Sequence, residues 1–105
     1  MLFNTGAALL DAIVLAVVAP EPEGTYGYKI TQEVRQVIEL SESTLYPVLR
    51  RLETSGALRV YSIEHNGRLR KYYAITDEGR QKIQAFLQEW EAVMKVYEFI
   101  RRDEA

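Results

Sequence analysis

Apolar residues recur with a helical period along most of the chain and with a period of two in one stretch past its middle. The first run, Gly6–Ala19 (GAALLDAIVLAVVA), is apolar on nearly every side. It predicts a helix buried between two layers, capped by Asn4 or Thr5 and reaching about Ala19. Pro20 stops it, and PEPEGT (Pro20–Thr25) reads as a loop. Tyr26, Ile30, Val34 and Val37 fall on one face of a second helix over Tyr26–Val37. A third helix, from about Glu42 to Ser55, carries Leu45, Val48, Leu49 and Leu52 as its apolar stripe, with Ser41 or Ser43 as N-cap and Gly56 just past its end. Two alternating segments, ALRVYSI and RKYYAIT, then flank Asn66-Gly67, a strong hairpin-turn signal. A two-residue turn there puts Leu58 and Val60 on one face with Tyr73 and Ile75, and Tyr61, Ile63, Arg68 and Arg70 on the other. Thr76 caps a last helix with acids in its first turn.

The expected fold is mostly α with a small β-hairpin: three short helices, a two-stranded hairpin and a long helix, the layout of a winged helix-turn-helix. Residues 1–76 form that unit, with helix 5–19 also joining a dimer interface, and residues 77–105 form a C-terminal dimerisation helix. On the last helix Ile83, Phe86, Trp90, Val93, Tyr97 and Ile100 repeat at intervals of three and four, and Leu87 and Met94 widen the stripe. One chain alone leaves this face wet, so a second copy is the expected cover, with Leu9 and Ile13 of the first helix beside it.

A chain of 105 residues, 48% of them hydrophobic, suits one small domain with a thin core that an oligomer would extend. There is no cysteine, and one histidine, His65, cannot build a multi-histidine metal cluster, so neither metal nor cofactor is expected. No nucleophile–base pair or Gly-rich phosphate loop points to an enzyme. The first apolar run is too short for a bilayer and contains Asp11, and no cation precedes it as in a signal peptide. A cytoplasmic protein without a membrane partner is therefore expected.

Net charge is -2, yet the charge is uneven. Residues 1–25 hold three acids and no base, while residues 43–73 hold six bases and two acids. The local excess matters more to a polyanion than the sum. On the third helix, opposite the leucine stripe, Ser43, Tyr46, Pro47, Arg50 and Thr54 share a face. Hydroxyls donate to phosphate oxygens, and an arginine can grip two acceptors on a base edge. Pro47 is tolerable there because few backbone bonds are at stake near a helix start. Arg68, Arg70 and Lys71 sit at the tip and shoulder of the hairpin, where cations can follow a phosphate backbone or enter a minor groove. Either feature alone fits a solvated surface. Together they favour double-stranded DNA over two alternatives: a winged helix binding an acidic protein, and a dimerisation module with no DNA role.

The segments YGYKI, STLYPVLRRLETSGAL and GRLRKYYAITDEGR also resemble, in order and spacing, the PadR family of bacterial transcriptional regulators. The resemblance covers roughly Leu9 to Arg80. It implies a homodimeric repressor with a pseudo-palindromic operator. Tyr28 and Lys29 at the start of the second helix, together with Ser43, Thr44, Tyr46, Pro47, Arg50, Arg51, Arg68, Arg70 and Lys71, are expected at the DNA. For Tyr26, core packing and a DNA-side position stay equally open. The chain is too short for the extra helical domain of the longer-tailed members and is similar to the short-tailed, multidrug-binding branch. That similarity implies a planar aromatic effector stacked on Trp90, with Val93, Met94 and Ala12 around it. Met94 is neutral where a pocket for cations would more naturally carry an acid. The expected dimer interface comprises Leu9, Ile13, Ile83, Phe86, Leu87, Trp90, Val93, Tyr97 and Ile100.

Overall fold

The computed structural model describes residues 5–104. Helix α1 (Thr5–Val18) leads to a two-residue strand β1 (Thr25–Tyr26), helix α2 (Gly27–Arg35) and helix α3 (Glu42–Thr54). The hairpin strands β2 (Leu58–His65) and β3 (Arg68–Ile75) follow, then helix α4 (Asp77–Arg101) and a 3-10 turn, Arg102–Glu104. The sheet order is β1-β3-β2, antiparallel throughout. The architecture is therefore mostly helical with a small sheet, a winged helix followed by one long C-terminal helix.

Apolar side chains from all the early elements converge on one core. Val14, Leu15 and Val18 of α1, Ile30 and Val34 of α2, and Leu45, Val48, Leu49 and Leu52 of α3 are buried together, closed by Ala57, Leu58 and Tyr73 at the root of the hairpin. Helix α1 touches α2, α3, α4 and β3, as a helix apolar on nearly all sides should. Ile13 of α1 and Ile83 of α4 pack against this core too, within one protomer.

Local signals act where the sequence places them. Asn66 and Gly67 both take positive φ, 54° and 77°, as a two-residue hairpin turn requires. Leu58 pairs with Ile75 and Val60 with Tyr73 on the inner face, while Tyr61 pairs with Tyr72 and Ile63 with Arg70 on the outer. Gly56, at φ 85°, terminates α3 in the left-handed conformation. The Thr76 hydroxyl accepts from the Gly79 amide at 3.0 Å, capping α4, and donates back to the carbonyl of Gly56 at 2.6 Å. One side chain thus fixes the start of α4 to the end of α3.

Four boundaries differ from the sequence reading, among them the end of α3, which is Thr54 and not Ser55. Helix α1 ends at Val18, one residue early, and Asn4 lies outside the described residues. Helix α2 ends at Arg35, with Val37 exposed beyond it. Tyr26 is its extended N-cap and belongs to β1, pairing with Tyr72. Pro47 does not lie at the helix start. Ser41 is the N-cap, so Pro47 occupies the second turn of a continuous helix, and the Ser43 carbonyl forgoes its i+4 donor. Beyond its first turns α4 runs clear of the core, which gives the protein extents of 62 × 26 × 21 Å. Among the described residues no helix is long and apolar enough to cross a membrane.

Candidate nucleic-acid interface

Helix α3 separates its two faces cleanly. Leu45, Val48, Leu49 and Leu52 are buried, while Ser43, Thr44, Tyr46, Pro47 and Arg50 are exposed. At the N-terminus Ser41 makes no capping bond to the backbone. Its Oγ instead meets Ser43 Oγ at 3.0 Å and Thr44 Oγ1 at 3.1 Å. This exposed hydroxyl cluster can exchange its internal bonds for phosphate oxygens at little cost.

The α3 face, the start of α2 and the hairpin meet in one cleft of about 570 Å³, lined by Tyr26, Gly27, Tyr28, Tyr46, Arg70, Lys71 and Tyr73. The ring of Tyr46 packs on Gly27, where an added Cβ would come within 3.3 Å of it. Glycine here lets the two helices of the helix-turn-helix approach closely. The floor is Tyr73, whose phenol is held above its ordinary pKa by burial, with Glu53 and Tyr46 acting the same way and Arg50 against them. Tyr73 stays a neutral hydrogen-bonding group at the base of a cationic cleft.

Of the sequence-predicted residues, Tyr28, Tyr46, Arg70 and Lys71 line this cleft, while Lys29, Ser43, Thr44, Pro47, Arg50, Arg51 and Arg68 lie outside it. Tyr28 is exposed and its hydroxyl accepts from Gln32 Nε2 at 3.1 Å. Lys29 lies 3.8 Å from Glu21, a loose exposed pair that leaves the amine free to exchange partners. Arg68 sits beyond the cleft at the hairpin tip, next to Leu69, which is largely in solvent at 77% exposure. Arg51 makes a contact that the sequence reading did not anticipate. One residue on from Arg50 turns it about 100° around the helix, and its guanidinium bonds Asp11 of α1. Asp11 is buried, with 6% of its surface exposed, and also pairs with Lys82 of α4 at 3.7 Å. Arg51 is a fastener between α1 and α3.

Sequence reasoning also missed an outer tier of the hairpin. Arg70 lies over the ring of Tyr26, 4.3 Å from its centroid. Tyr26 meets Tyr72 edge-on at 5.7 Å, Tyr72 stacks on Tyr61 at 6.0 Å, and Arg59 covers Tyr61 at 5.1 Å. The tier depends on β1 pairing with β3, and a two-residue strand leaves no periodicity to read. Tyr26 is thus neither a core residue nor a bare surface one.

On α4 the apolar stripe stands in water over its distal half: Leu87, Trp90, Met94, Tyr97 and Ile100 are all exposed. Trp90 stacks on Phe86 at 5.9 Å. Phe86 in turn lines a groove of about 230 Å³ with Ala8 and Ala12 of α1 and with Lys82, Ala85 and Glu89. Of the four residues expected around an effector, Ala12 alone lines this groove; Trp90 adjoins it, and Val93 and Met94 lie further along α4.

Comparison with known proteins bears on the family and the fold. Residues 14–85 match the profile of the transcriptional regulator PadR-like family. An uncharacterized protein of Lysinibacillus sphaericus is 33% identical over 92 residues, 83% of each chain. Among solved structures, a protein from Streptococcus mutans UA159 superposes with TM-score 0.77 at 36% identity, covering 96% of this chain and 94% of its own. A PadR family transcription regulator from hypervirulent Clostridium difficile R20291 does so with TM-score 0.74 at 32% identity, covering 87% and 96%. With the match spanning most of the winged helix and the fold agreeing along nearly the whole chain, the protein belongs to the PadR-like family of transcriptional regulators, not to any class of enzyme.

Proposed function

We propose that this PadR-family regulator is a cytoplasmic homodimeric repressor that binds a pseudo-palindromic operator. Helix α3 enters the major groove with Ser43, Thr44, Tyr46 and Arg50, and the hairpin serves as a wing whose Arg68, Arg70 and Lys71 meet phosphates. Tyr28 and Lys29 border the same phosphate track, and Pro47 offers the groove a rigid apolar contact. The observation that carries this reading is the cleft in which Tyr46 of α3, the start of α2 and Arg70 and Lys71 of the hairpin converge. An amphipathic surface helix with a merely solvated polar face needs no such convergence.

Dimerisation through α4 follows from its exposed stripe, which a second copy of the same helix would cover. A planar aromatic effector beside Trp90 and Ala12 would sit between that interface and α1. Selection from a pool of random duplexes tests the proposal. It should recover a two-fold sequence with half-sites about one helical turn apart. Arg50→Ala should then cost about 1–3 kcal/mol on that sequence and less on others. Absence of binding to any duplex at low salt would refute the reading.

A further inference from the structure

The three cations at the tip and shoulder of the hairpin are not equivalent. Arg68 and Lys71 are exposed, whereas Arg70 is half-buried with its guanidinium over Tyr26. Among the described residues Arg70 has no carboxylate within salt-bridge distance. The ring is therefore its main restraint. Tyr26 is itself fixed: its backbone pairs with Tyr72, it is the extended N-cap of α2, and its ring abuts the edge of Tyr72.

We infer that Tyr26 is a positioning residue for Arg70, holding the guanidinium at the mouth of the cleft so that the arginine meets DNA already ordered. The inference rests on the DNA-binding reading above. A guanidinium lying over a ring gives up one face to the π-system and keeps the N–H groups along its edge, which are the groups that grip a phosphate. Rotamer freedom that an unsupported arginine would lose on binding is lost beforehand. The geometry also makes the wing and the start of α2 one unit, because Tyr26 belongs to both. Lys71 and Arg68, with no such support, act as loose charges. The tier of Tyr72, Tyr61 and Arg59 behind Tyr26 keeps its ring from tilting away.

Two measurements on the full-length protein test this. The first needs no DNA. In the free wild-type protein the Arg70 Hε resonance should be shifted upfield by the ring current of Tyr26. The shift should survive Tyr26→Phe, which keeps the π-face, and vanish in Tyr26→Leu. The second is a double-mutant cycle on the selected duplex. Tyr26→Phe should bind like wild type, and Tyr26→Leu about three- to ten-fold more weakly, the range of a partly exposed cation–π contact. In an Arg70→Ala background Tyr26→Leu should cause no further loss. Equal losses in both backgrounds would make Tyr26 a general support of the fold and overturn the inference. So would a wild-type Arg70 resonance with no ring-current shift, a result that stands even if the leucine variant fails to fold. A wild-type protein that shows the shift but binds no duplex would instead refute the DNA-binding reading, and the positioning role with it.

Discussion

Arg50 and Arg51 are neighbours in sequence and belong to different parts of the molecule. Arg50 stays on the exposed face of α3, while Arg51 joins Asp11 and, through it, Lys82. Arg51→Ala should therefore act on stability. It leaves a buried carboxylate with one loosely placed amine, and a loss of about 1–3 kcal/mol in urea unfolding is expected, moderated because both cations are half in solvent. The salt dependence of DNA binding should not change, whereas an arginine on phosphate would lower its slope by about 1. The clue was present in the sequence. A lone acid in the otherwise apolar GAALLDAIVLAVVA run must be paired if the helix is buried, and only a cation flanking another helix's apolar stripe could reach it. Tyr73 gives a second test at this scale. Its pKa is raised in the folded protein, chiefly by burial, so its contribution is fully present below the unfolded value of about 10 and is lost as pH climbs through the folded one. Tyr73→Phe should flatten the alkaline fall in stability seen in pH-dependent unfolding.

At the scale of elements, most of the architecture was legible because each signal was local. Asn66-Gly67 fixes the hairpin and its register, Gly56 the end of α3, and Thr76 the start of α4. The stripe Leu45, Val48, Leu49 and Leu52 likewise defines the buried side of α3. What escaped depends on contacts between distant segments. Strand β1 has two residues and exists only because β3 lies beside it, so nothing near Tyr26 distinguishes a strand from a helix start. The cleft has the same origin: Gly27, Tyr46 and Arg70 meet through tertiary packing. Gly27→Ala probes that packing. The Tyr46 ring must shift by a few tenths of an ångström to admit the methyl. Gly27 also opens α2, where alanine is the better helix former. The fold should hold within about 0.5 kcal/mol, while operator affinity falls as Tyr46 is displaced, measured by anisotropy titration beside thermal unfolding. Equal affinity at equal stability would remove Tyr46 from the proposed interface. For the wing, replacing Arg68 or Lys71 by alanine should each lower the salt slope by about 1 wherever the side chain touches phosphate, whatever the sequence of the duplex.

For the whole molecule the decisive feature is α4, 25 residues or about 37 Å long, of which only the first turns are anchored by Ile83 to the core. A helix with Leu87, Trp90, Met94, Tyr97 and Ile100 in water calls for a cover, and in the proposed dimer the same stripe on a second chain would supply one of matching length. The division along α4 permits a clean separation of folding from association. Tyr97→Glu with Ile100→Glu should give a monomer by sedimentation that keeps its circular dichroism, because neither residue contributes to the protomer's core. That monomer should bind a half-site but lose the advantage of a two-fold operator. Its counterpart is the effector experiment. Trp90 is the only tryptophan, so its fluorescence reports on one place in the molecule. It stacks on Phe86, and Phe86 lines the α1–α4 groove together with Lys82, the residue that also holds Asp11. A planar aromatic compound in this region would thus press on α4, α1 and, through Asp11 and Arg51, on α3. It can weaken operator binding only to the extent that it prefers a dimer in which the two α3 helices are wrongly spaced for the DNA. Quenching of Trp90 and a parallel loss of operator affinity, with a matching mid-point in both titrations, are expected. In Arg51→Ala the quenching should persist while its effect on DNA weakens, since the ion pair between α1 and α3 is lost and only their apolar packing remains. If a broad panel of planar compounds changes neither signal, Trp90 is an interface residue and the regulator senses no such ligand.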